Sequence, residues 1–190
     1  MRNRGIIKAP RGQALIELAM ILPLLLFLAV FIFDFSRAIY TKNAVVNMSR
    51  EGANFASRTE NTPQIIINSL ANSASPLIMS SYGMIYITEL IGNADGTVAV
   101  VSQHKYLGNV APPNSMNSKV STCTPWIAGD CTPASGSRPS ANLTALSLSS
   151  GAIAPGQEAY SVEVFYNYQV IFGNIINYRP LLYSISIFKT

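Results

Sequence analysis

Apolar residues form an almost unbroken segment near the start of the chain, from Gln13 to Phe33, in which Glu17 is the one charged residue. As an α-helix, these 21 residues would span about 30 Å, which is the thickness of the hydrocarbon core of a bilayer. Soluble domains do not keep an apolar segment of this length on their surface. We therefore predict a transmembrane helix over residues 13–33.

The charges on either side of this segment predict its orientation. Four basic residues lie within residues 1–12, whereas the cations that follow Phe33 are nearly balanced by Asp34. Cytoplasmic flanks of membrane helices carry the excess of Lys and Arg. We expect residues 1–12 to be a basic cytoplasmic leader and the chain after Phe33 to lie outside the cytoplasm, as a single-pass protein.

A cleaved secretory signal peptide is the alternative interpretation of the same segment. Ser36-Arg37-Ala38 places small residues at the spacing that a signal peptidase recognises, so the mature chain would begin at Ile39. The apolar segment is long for a signal peptide, and the helical pattern continues beyond it without a turn. These features favour an uncleaved helix.

From residue 34 to residue 58 the pattern indicates a continuation of the same helix. Small residues recur on one narrow face of it, at Ala38, Val45, Ser49, Gly52 and Ala56. Such a face allows the close approach of another element. It is compatible with packing on the protein's own sheet and, equally, with packing against a partner helix.

A second helix is predicted from Pro63 to about Ser75. Asn61 and Thr62 precede it as capping residues, and Pro63 would occupy the first helical position, where no backbone N–H is needed. Ile66, Leu70 and Ala74 would face inward. Pro76 should end the helix.

After Pro76 the apolar period changes from about 3.6 residues to 2 residues, which indicates strands. Four are predicted, at Met84–Ile91, Thr97–Leu107, Tyr160–Phe172 and Leu181–Phe188. We expect an α+β extracytoplasmic domain over residues 59–190, in which an antiparallel sheet of about four strands covers a helix with its apolar face and exposes its other face to water.

A long segment with little periodicity, residues 111–158, separates the second and third predicted strands. Of its 48 residues, 23 are Gly, Pro, Ser or Thr, which is typical of a loop. A loop of this length either presents a surface to binding partners or is a partly disordered insertion, and both interpretations remain open. Its cysteines, Cys123 and Cys131, should form a disulfide outside the cytoplasm, worth about 2.5 kcal/mol.

Charge and composition argue against several function classes. From Gln13 onward, nine basic residues balance nine acidic residues, so the domain lacks the basic face that a nucleic-acid partner requires. His104 is the one histidine, and period 2 places it on the strand face of Val98, Val100 and Tyr106. Two cysteines and His104 do not make a metal site, and no catalytic motif occurs. We expect no catalytic residue, metal or cofactor.

Four short motifs occur in order near the N-terminus: Arg11-Gly12-Gln13-Ala14-Leu15-Ile16-Glu17, Leu22-Pro23-Leu24, Asp34-Phe35-Ser36-Arg37 and Ser49-Arg50-Glu51-Gly52-Ala53. Together they resemble the TadE-like family of pseudopilins, the minor components of tight-adherence (Flp-type) pilus systems. The resemblance covers about residues 11–58. The family likeness also supports a pilin-like fold, in which the long N-terminal helix leads into the domain.

This resemblance implies that a prepilin peptidase cuts after Gly12, so that Gln13 becomes the N-terminus and Glu17 the fifth residue of the mature chain. The new amine of Gln13 could then pair with Glu17 of a neighbouring subunit, removing two isolated charges from apolar surroundings. It further implies a minor pilin in the inner membrane or the fibre, with other pilin subunits, the peptidase, the assembly platform and membrane lipid as partners.

Two other functions remain open at this point. The protein could act as an adhesin of the pilus through its long loop, or it could be a membrane-anchored extracytoplasmic binding domain that is not part of a pilus. Loss of piliation on deletion would separate the pilus functions from the simple anchor.

Overall fold

The computed structural model describes residues 13–59, 61–109, 116–171 and 179–190. The basic leader over residues 1–12, with the predicted cleavage site at Gly12, lies outside the described residues. The chain divides into two compact units, Met1–Ile39 and Tyr40–Thr190, and helix α1 (Gln13–Arg58) has residues in both.

The first unit contains the N-terminal part of α1, which includes the predicted membrane segment. Helix α1 is one helix of 46 residues, and Pro23 lies inside it without ending it. Its apolar part qualifies as a candidate membrane span, with a mean hydropathy of 2.8 over the best window and none of that window buried. This finding agrees with the predicted transmembrane helix.

The second unit is the α+β domain that the sequence predicts. Its elements after α1 are the helices α2 (Pro63–Ser73), α3 (Met79–Tyr82) and α4 (Leu143–Leu146), and the strands β1 (Gly83–Gly92), β2 (Val98–Lys105), β3 (Asp130–Cys131), β4 (Glu158–Asn167) and β5 (Leu181–Lys189). The strands form one sheet in the order β3-β2-β1-β4-β5, and every neighbouring pair is antiparallel.

The predicted strands are confirmed, with differences at their ends. The third predicted strand was too long, because β4 ends at Asn167 and residues 168–171 are not in a strand. The sequence analysis missed β3, since a strand of two residues cannot show an alternating pattern. Helix α2 begins at Pro63 as predicted and ends at Ser73, two residues early.

One face of the sheet packs against α2 and the C-terminal part of α1. Their shared core contains apolar residues from both helices and from the two central strands, including Val45, Ala53, Ile67, Ile87 and Val164. Ile66, Leu70 and Ala74 are buried here, as the periodicity of the second helix predicts. The sheet therefore packs one apolar face against helices, as the sequence predicts.

The prediction that the opposite face of the sheet is open to water was wrong. Segment 116–157 folds over it and forms two further apolar clusters, one with Leu90, Val100 and Ile153, the other with Met116 and Phe165. Six consecutive residues of β4, from Ser161 to Tyr166, are buried. Their side chains point alternately to the two faces of the sheet, and both faces are covered. The sheet thus lies between helices and a structured segment.

Candidate functional site

The N-terminal part of α1 carries an apolar surface that is exposed on every side. Side chains from Leu15 to Phe35 are exposed around the helix, with Met20 at 76% and Leu24 at 68%. Transfer of one such side chain from water to an apolar phase is favourable by about 1.5–3 kcal/mol. A helix of this kind needs hydrocarbon or apolar neighbours over its whole circumference.

Charged and polar side chains mark the C-terminal end of this apolar surface. Asp34 and Arg37 form an ion pair with a separation of 4.0 Å, and the Ser36 hydroxyl donates a 2.8 Å hydrogen bond to the carbonyl of Ile32. Two residues of the predicted processing site, Gln13 and Glu17, lie at the other end, whereas Gly12 is outside the described residues. Helix α1 begins at Gln13, and Glu17 is exposed one turn later.

The face of small residues on α1 packs, over its C-terminal part, on the protein's own sheet and on α2. Val45, Ser49, Gly52 and Ala56 are all buried, whereas Ala38 in the first unit is half-buried. A Cβ atom added at Gly52 would lie 2.7 Å from Cδ1 of Leu70 and 3.1 Å from Cγ1 of Val162. The sequence left two alternatives open for this face, packing on the protein's own sheet or packing against a partner helix. These four residues pack within the chain.

Ser49 explains why the serine face of β5 is turned toward the helix. Its hydroxyl donates to the carbonyl of Val46 at 2.9 Å and lies 2.9 and 3.0 Å from the hydroxyls of Ser184 and Ser186. In β5 these serines alternate with the apolar residues Tyr183, Ile185 and Ile187, which lie on the other face. The serine hydroxyls satisfy one another in a place where polar groups need partners.

On the segment-covered face, the carboxylate of Glu163 is fully buried and accepts three hydrogen bonds. Oε1 accepts from the backbone N–H of Lys119 at 2.8 Å and from the Tyr183 hydroxyl at 3.0 Å, and Oε2 accepts from the Ser118 hydroxyl. The amide of Gln103 extends the cluster by donating to Ser118 and Thr88, each at 2.9 Å. The cluster therefore links segment 116–157 to four strands of the sheet, β1, β2, β4 and β5.

Burial sets the electrostatics of this cluster. Desolvation raises the pKa of Glu163 above its ordinary value, although the hydrogen bonds from Ser118, Lys119 and Tyr183 oppose the shift. Desolvation, with the nearby charge of Glu163, raises the pKa of Tyr86 to about 12 and that of Tyr183 further. These groups hold the covering segment in place, on the sheet face that the sequence analysis had expected to be open to water.

His104 lies on the helix-covered face, which corrects its predicted position. The β1–β2 register shifts between Glu89 and Leu90, so His104 pairs with Ile87 on the opposite face from Val98 and Val100. Its Nδ1 lies 2.7 Å from Oδ1 of Asp130. A β-bulge of this kind leaves no signal in a simple alternating pattern.

The hydrogen bonds around His104 are not arranged as those of a catalytic base would be. Ser102 lies 3.1 Å from its Nε2, but the Ser102 hydroxyl donates to Glu89 at 2.8 Å, so its proton is directed away from the imidazole. Burial works against ionisation of Asp130, yet hydrogen bonds from Gln64 and His104 lower its pKa. The contact of His104 with Asp130 joins β2 to β3, and the hydrogen bond from Gln64 to the same carboxylate joins α2 to β3.

A disulfide joins Cys123 and Cys131, whose Cα atoms are 6.1 Å apart. Cys131 belongs to β3 and pairs with Gln103 of β2, so the bridge ties the covering segment to the edge of the sheet. Among the described residues, no group of three His, Cys, Asp or Glu side chains could hold a metal ion.

The comparison with known protein families agrees with the motifs at the N-terminus. Residues 12–54 match the family described as TadE-like protein, which confirms the resemblance over that segment. No curated protein and no solved structure matches the chain. The matched segment begins at Gly12 and includes the exposed apolar surface of α1.

Proposed function

From the TadE-like segment over residues 12–54 we propose that this chain is a non-catalytic minor pilin, or pseudopilin, that takes part in the assembly of a tight-adherence (Flp-type) pilus. The observation that carries the proposal is the apolar surface of α1, which is exposed on all sides within the matched segment. A pilin uses such a helix twice, first against lipid in the membrane and then against other subunits.

The precursor is a single-pass protein of the inner membrane in this proposal. The four basic residues before Gln13 keep the leader in the cytoplasm, and the domain after Phe33 lies in the periplasm or in the fibre. The disulfide between Cys123 and Cys131 supports this orientation, because such bonds persist outside the reducing cytoplasm.

Maturation removes the leader through a cut after Gly12 by the prepilin peptidase. A peptidase that draws the backbone close to its catalytic groups leaves little space for a side chain beside the scissile bond, which suits a glycine. The cut frees the α-amine of Gln13, one helical turn from Glu17. The amine of one subunit and the carboxylate of the next then neutralise each other within the assembled helices.

The test is the mass of the N-terminus of protein made in its native host. A chain that begins at Gln13 supports the proposal, a chain that begins at Ile39 shows a signal peptide, and an intact N-terminus shows an ordinary membrane anchor. Gly12→Val should leave precursor in the membrane with the leader attached. Normal maturation of that variant would exclude cleavage at this site.

Deletion of the chain distinguishes assembly from the remaining alternative. A minor pilin that initiates or supports the fibre is required for piliation, so the deletion strain should lack pili. A membrane-anchored binding or adhesion domain outside a pilus would leave the fibres in place.

A further inference from the structure

Strand β5 forms one edge of the sheet, and among the described residues it pairs with β4 alone. We call the side without a paired strand the open edge; on that side the carbonyl of Tyr183 accepts from the ammonium of Lys42. Two hydrogen bonds extend the β4–β5 ladder at its ends, from the N–H of Tyr168 to the carbonyl of Pro180 at 3.0 Å and from the N–H of Thr190 to the carbonyl of Glu158 at 3.1 Å. These two bonds define which residues of β5 face the open side.

In an antiparallel ladder, every second residue exchanges both backbone hydrogen bonds with its partner, and the residues between them direct N–H and C=O away. Pro180 and Thr190 are both even-numbered, so the even residues of β5 bond to β4. The outward groups belong to the odd-numbered residues Leu181, Tyr183, Ile185, Ile187 and Lys189. A contact at Tyr183 agrees with this parity, because the ammonium of Lys42 donates to its carbonyl.

The open edge has the length and composition of a strand that can accept another strand. Its odd-numbered residues direct backbone N–H and C=O groups outward over nine residues, although the carbonyl of Tyr183 already accepts from Lys42, and four of its nine side chains are β-branched or aromatic. Natural sheets often protect such an edge with a bulge, a proline, a very short strand or charged side chains, lysine above all. The β4–β5 register is regular from Asn167 to Ala159, and β5 contains no proline.

Positive charge gathers around this edge. Lys42 contacts Tyr183, the ammonium of Lys119 lies 4.0 Å from the centre of the Tyr183 ring, Lys189 ends the strand, and Arg179 lies two residues before it. These are four of the nine cations that follow the leader. Of the carboxylates next to β5, Glu163 is buried and Glu158 is exposed at the strand's far end.

We propose that the open edge of β5 binds an extended acidic segment of another polypeptide, which adds to the sheet as a sixth strand. Backbone hydrogen bonds to the odd-numbered residues supply the affinity, and the surrounding cations select acidic side chains. A second copy of the chain fits less well, because pairing of two β5 edges would bring their cations together. This inference does not depend on the pilin function.

Binding is measured on the full chain in detergent micelles with a fluorescent ten-residue peptide in which glutamate alternates with valine. Peptides with lysine or with a central proline in the same pattern are the matched probes. The glutamate peptide should bind, more weakly as salt increases, and the other two should bind at least about tenfold more weakly. Hydrogen exchange should show new protection of the amides of Tyr183, Ile185 and Ile187.

Ile185→Pro removes an outward N–H without removing a bond to β4, and Ile185→Ala removes a similar part of the side chain but keeps that N–H. The proline variant should lose at least about tenfold in affinity while the alanine variant stays close to wild type. Exchange protection in the wild-type chain gives an independent answer if the proline variant does not fold.

Three results would overturn the proposal. Equal binding of the lysine peptide would rule out selection of an acidic partner. An absence of exchange protection at the three outward amides would rule out the edge of β5 as the binding site. A dimer that forms without peptide and that Ile185→Pro dissociates would show that a second copy of the chain occupies the edge.

Discussion

Glu163 combines full burial with a complete set of hydrogen-bond donors around its carboxylate. Its three donors come from the covering segment and from β5, so the residue connects parts of the chain that are far apart in sequence. A buried acid of this kind stabilises a specific arrangement while it carries a desolvation cost. The cost depends on its protonation state and therefore on pH.

Replacement of Glu163 by glutamine should change the pH dependence of stability. Because burial raises the pKa of Glu163 in the folded state, its contribution to the free energy of unfolding falls as pH rises from about the ordinary value of 4.5 through the raised one. Glu163→Gln removes this term and retains an oxygen that can accept from Lys119 and Tyr183. Relative to wild type, the variant should gain stability as pH rises above about 4.5, measured by chemical unfolding.

Two further variants test that argument. Glu163→Ala leaves three buried donors without an acceptor and should destabilise the domain by about 3 kcal/mol at any pH above about 4.5. Glu158→Gln changes an exposed carboxyl on the same strand and should behave as wild type. The argument fails if Glu163→Gln and wild type show the same pH profile.

At the scale of elements, the small residues of α1 determine how closely the helix approaches the sheet. Gly52 lies opposite Leu70 of α2 and Val162 of β4, and there is no space for a large side chain between them. The sequence pattern identified this face of α1 but not the element that packs against it. Small residues permit close packing on any neighbour, so only the three-dimensional arrangement identifies which neighbour is present.

Gly52→Leu should destabilise the domain by about 2–3 kcal/mol, because the added side chain must displace Val162 or Leu70. Asn54→Leu adds similar apolar bulk at an exposed position of the same helix and should stay within about 0.5 kcal/mol of wild type. Thermal unfolding in detergent measures both. If Gly52→Leu is as stable as wild type and yet abolishes piliation, this face serves a partner helix instead.

The strands show which parts of the sheet sequence periodicity can predict and which it cannot. β4 and β5 were predictable because apolar and polar residues largely alternate in them, and β1 and β2 because each contains a short apolar run. The cover over the second face was not, because its residues are scattered through a segment rich in Gly, Pro, Ser and Thr and depend on Glu163 and the disulfide for their positions. Phe165 was the available signal, since an aromatic residue on the same face as Glu163 indicates a strand buried on both sides.

The covering segment also predicts a redox dependence. Non-reducing mass spectrometry of protein from its native compartment should find Cys123 linked to Cys131, and Cys123→Ser should lower stability by about 2.5 kcal/mol, since the bridge restricts the unfolded chain. Free thiols in that protein would contradict both the disulfide and the proposed orientation of the chain.

At the scale of the whole molecule, the sequence predicted more of the candidate site than of the fold. The apolar helix and the position of Glu17 follow from local composition, and the structure adds that the large apolar side chains of the described first unit are exposed. The bonding of Glu163, by contrast, arises between residues far apart in the chain. No local pattern contains that information.

Glu17→Gln should separate membrane insertion from assembly. The amide keeps the shape of the side chain but removes the charge that pairs with the amine of Gln13, and an amide costs less than a carboxylate to place in a bilayer. We expect a protein that inserts and is cut after Gly12, yet no longer co-purifies with other pilins or supports piliation. Glu17→Asp should be intermediate, because its charge remains and its reach is shorter.

Wild-type piliation and partner capture by Glu17→Gln would show that the ion pair is not required. In that case Glu17 would be a recognition residue for the peptidase or a charge at the level of the lipid headgroups. Measuring cleavage of the variant separates these two roles, since only a recognition residue affects it.

The covering segment is held to the sheet by a few inward residues, among them Met116, Val120, Leu146 and Ile153, while residues 134–137 between them are exposed. At Gly136 an added Cβ would meet no atom within 4 Å. The outer surface of the segment can therefore change while the inward residues preserve the fold. An epitope tag or a fluorophore inserted at Gly136 should leave the packing of the domain intact.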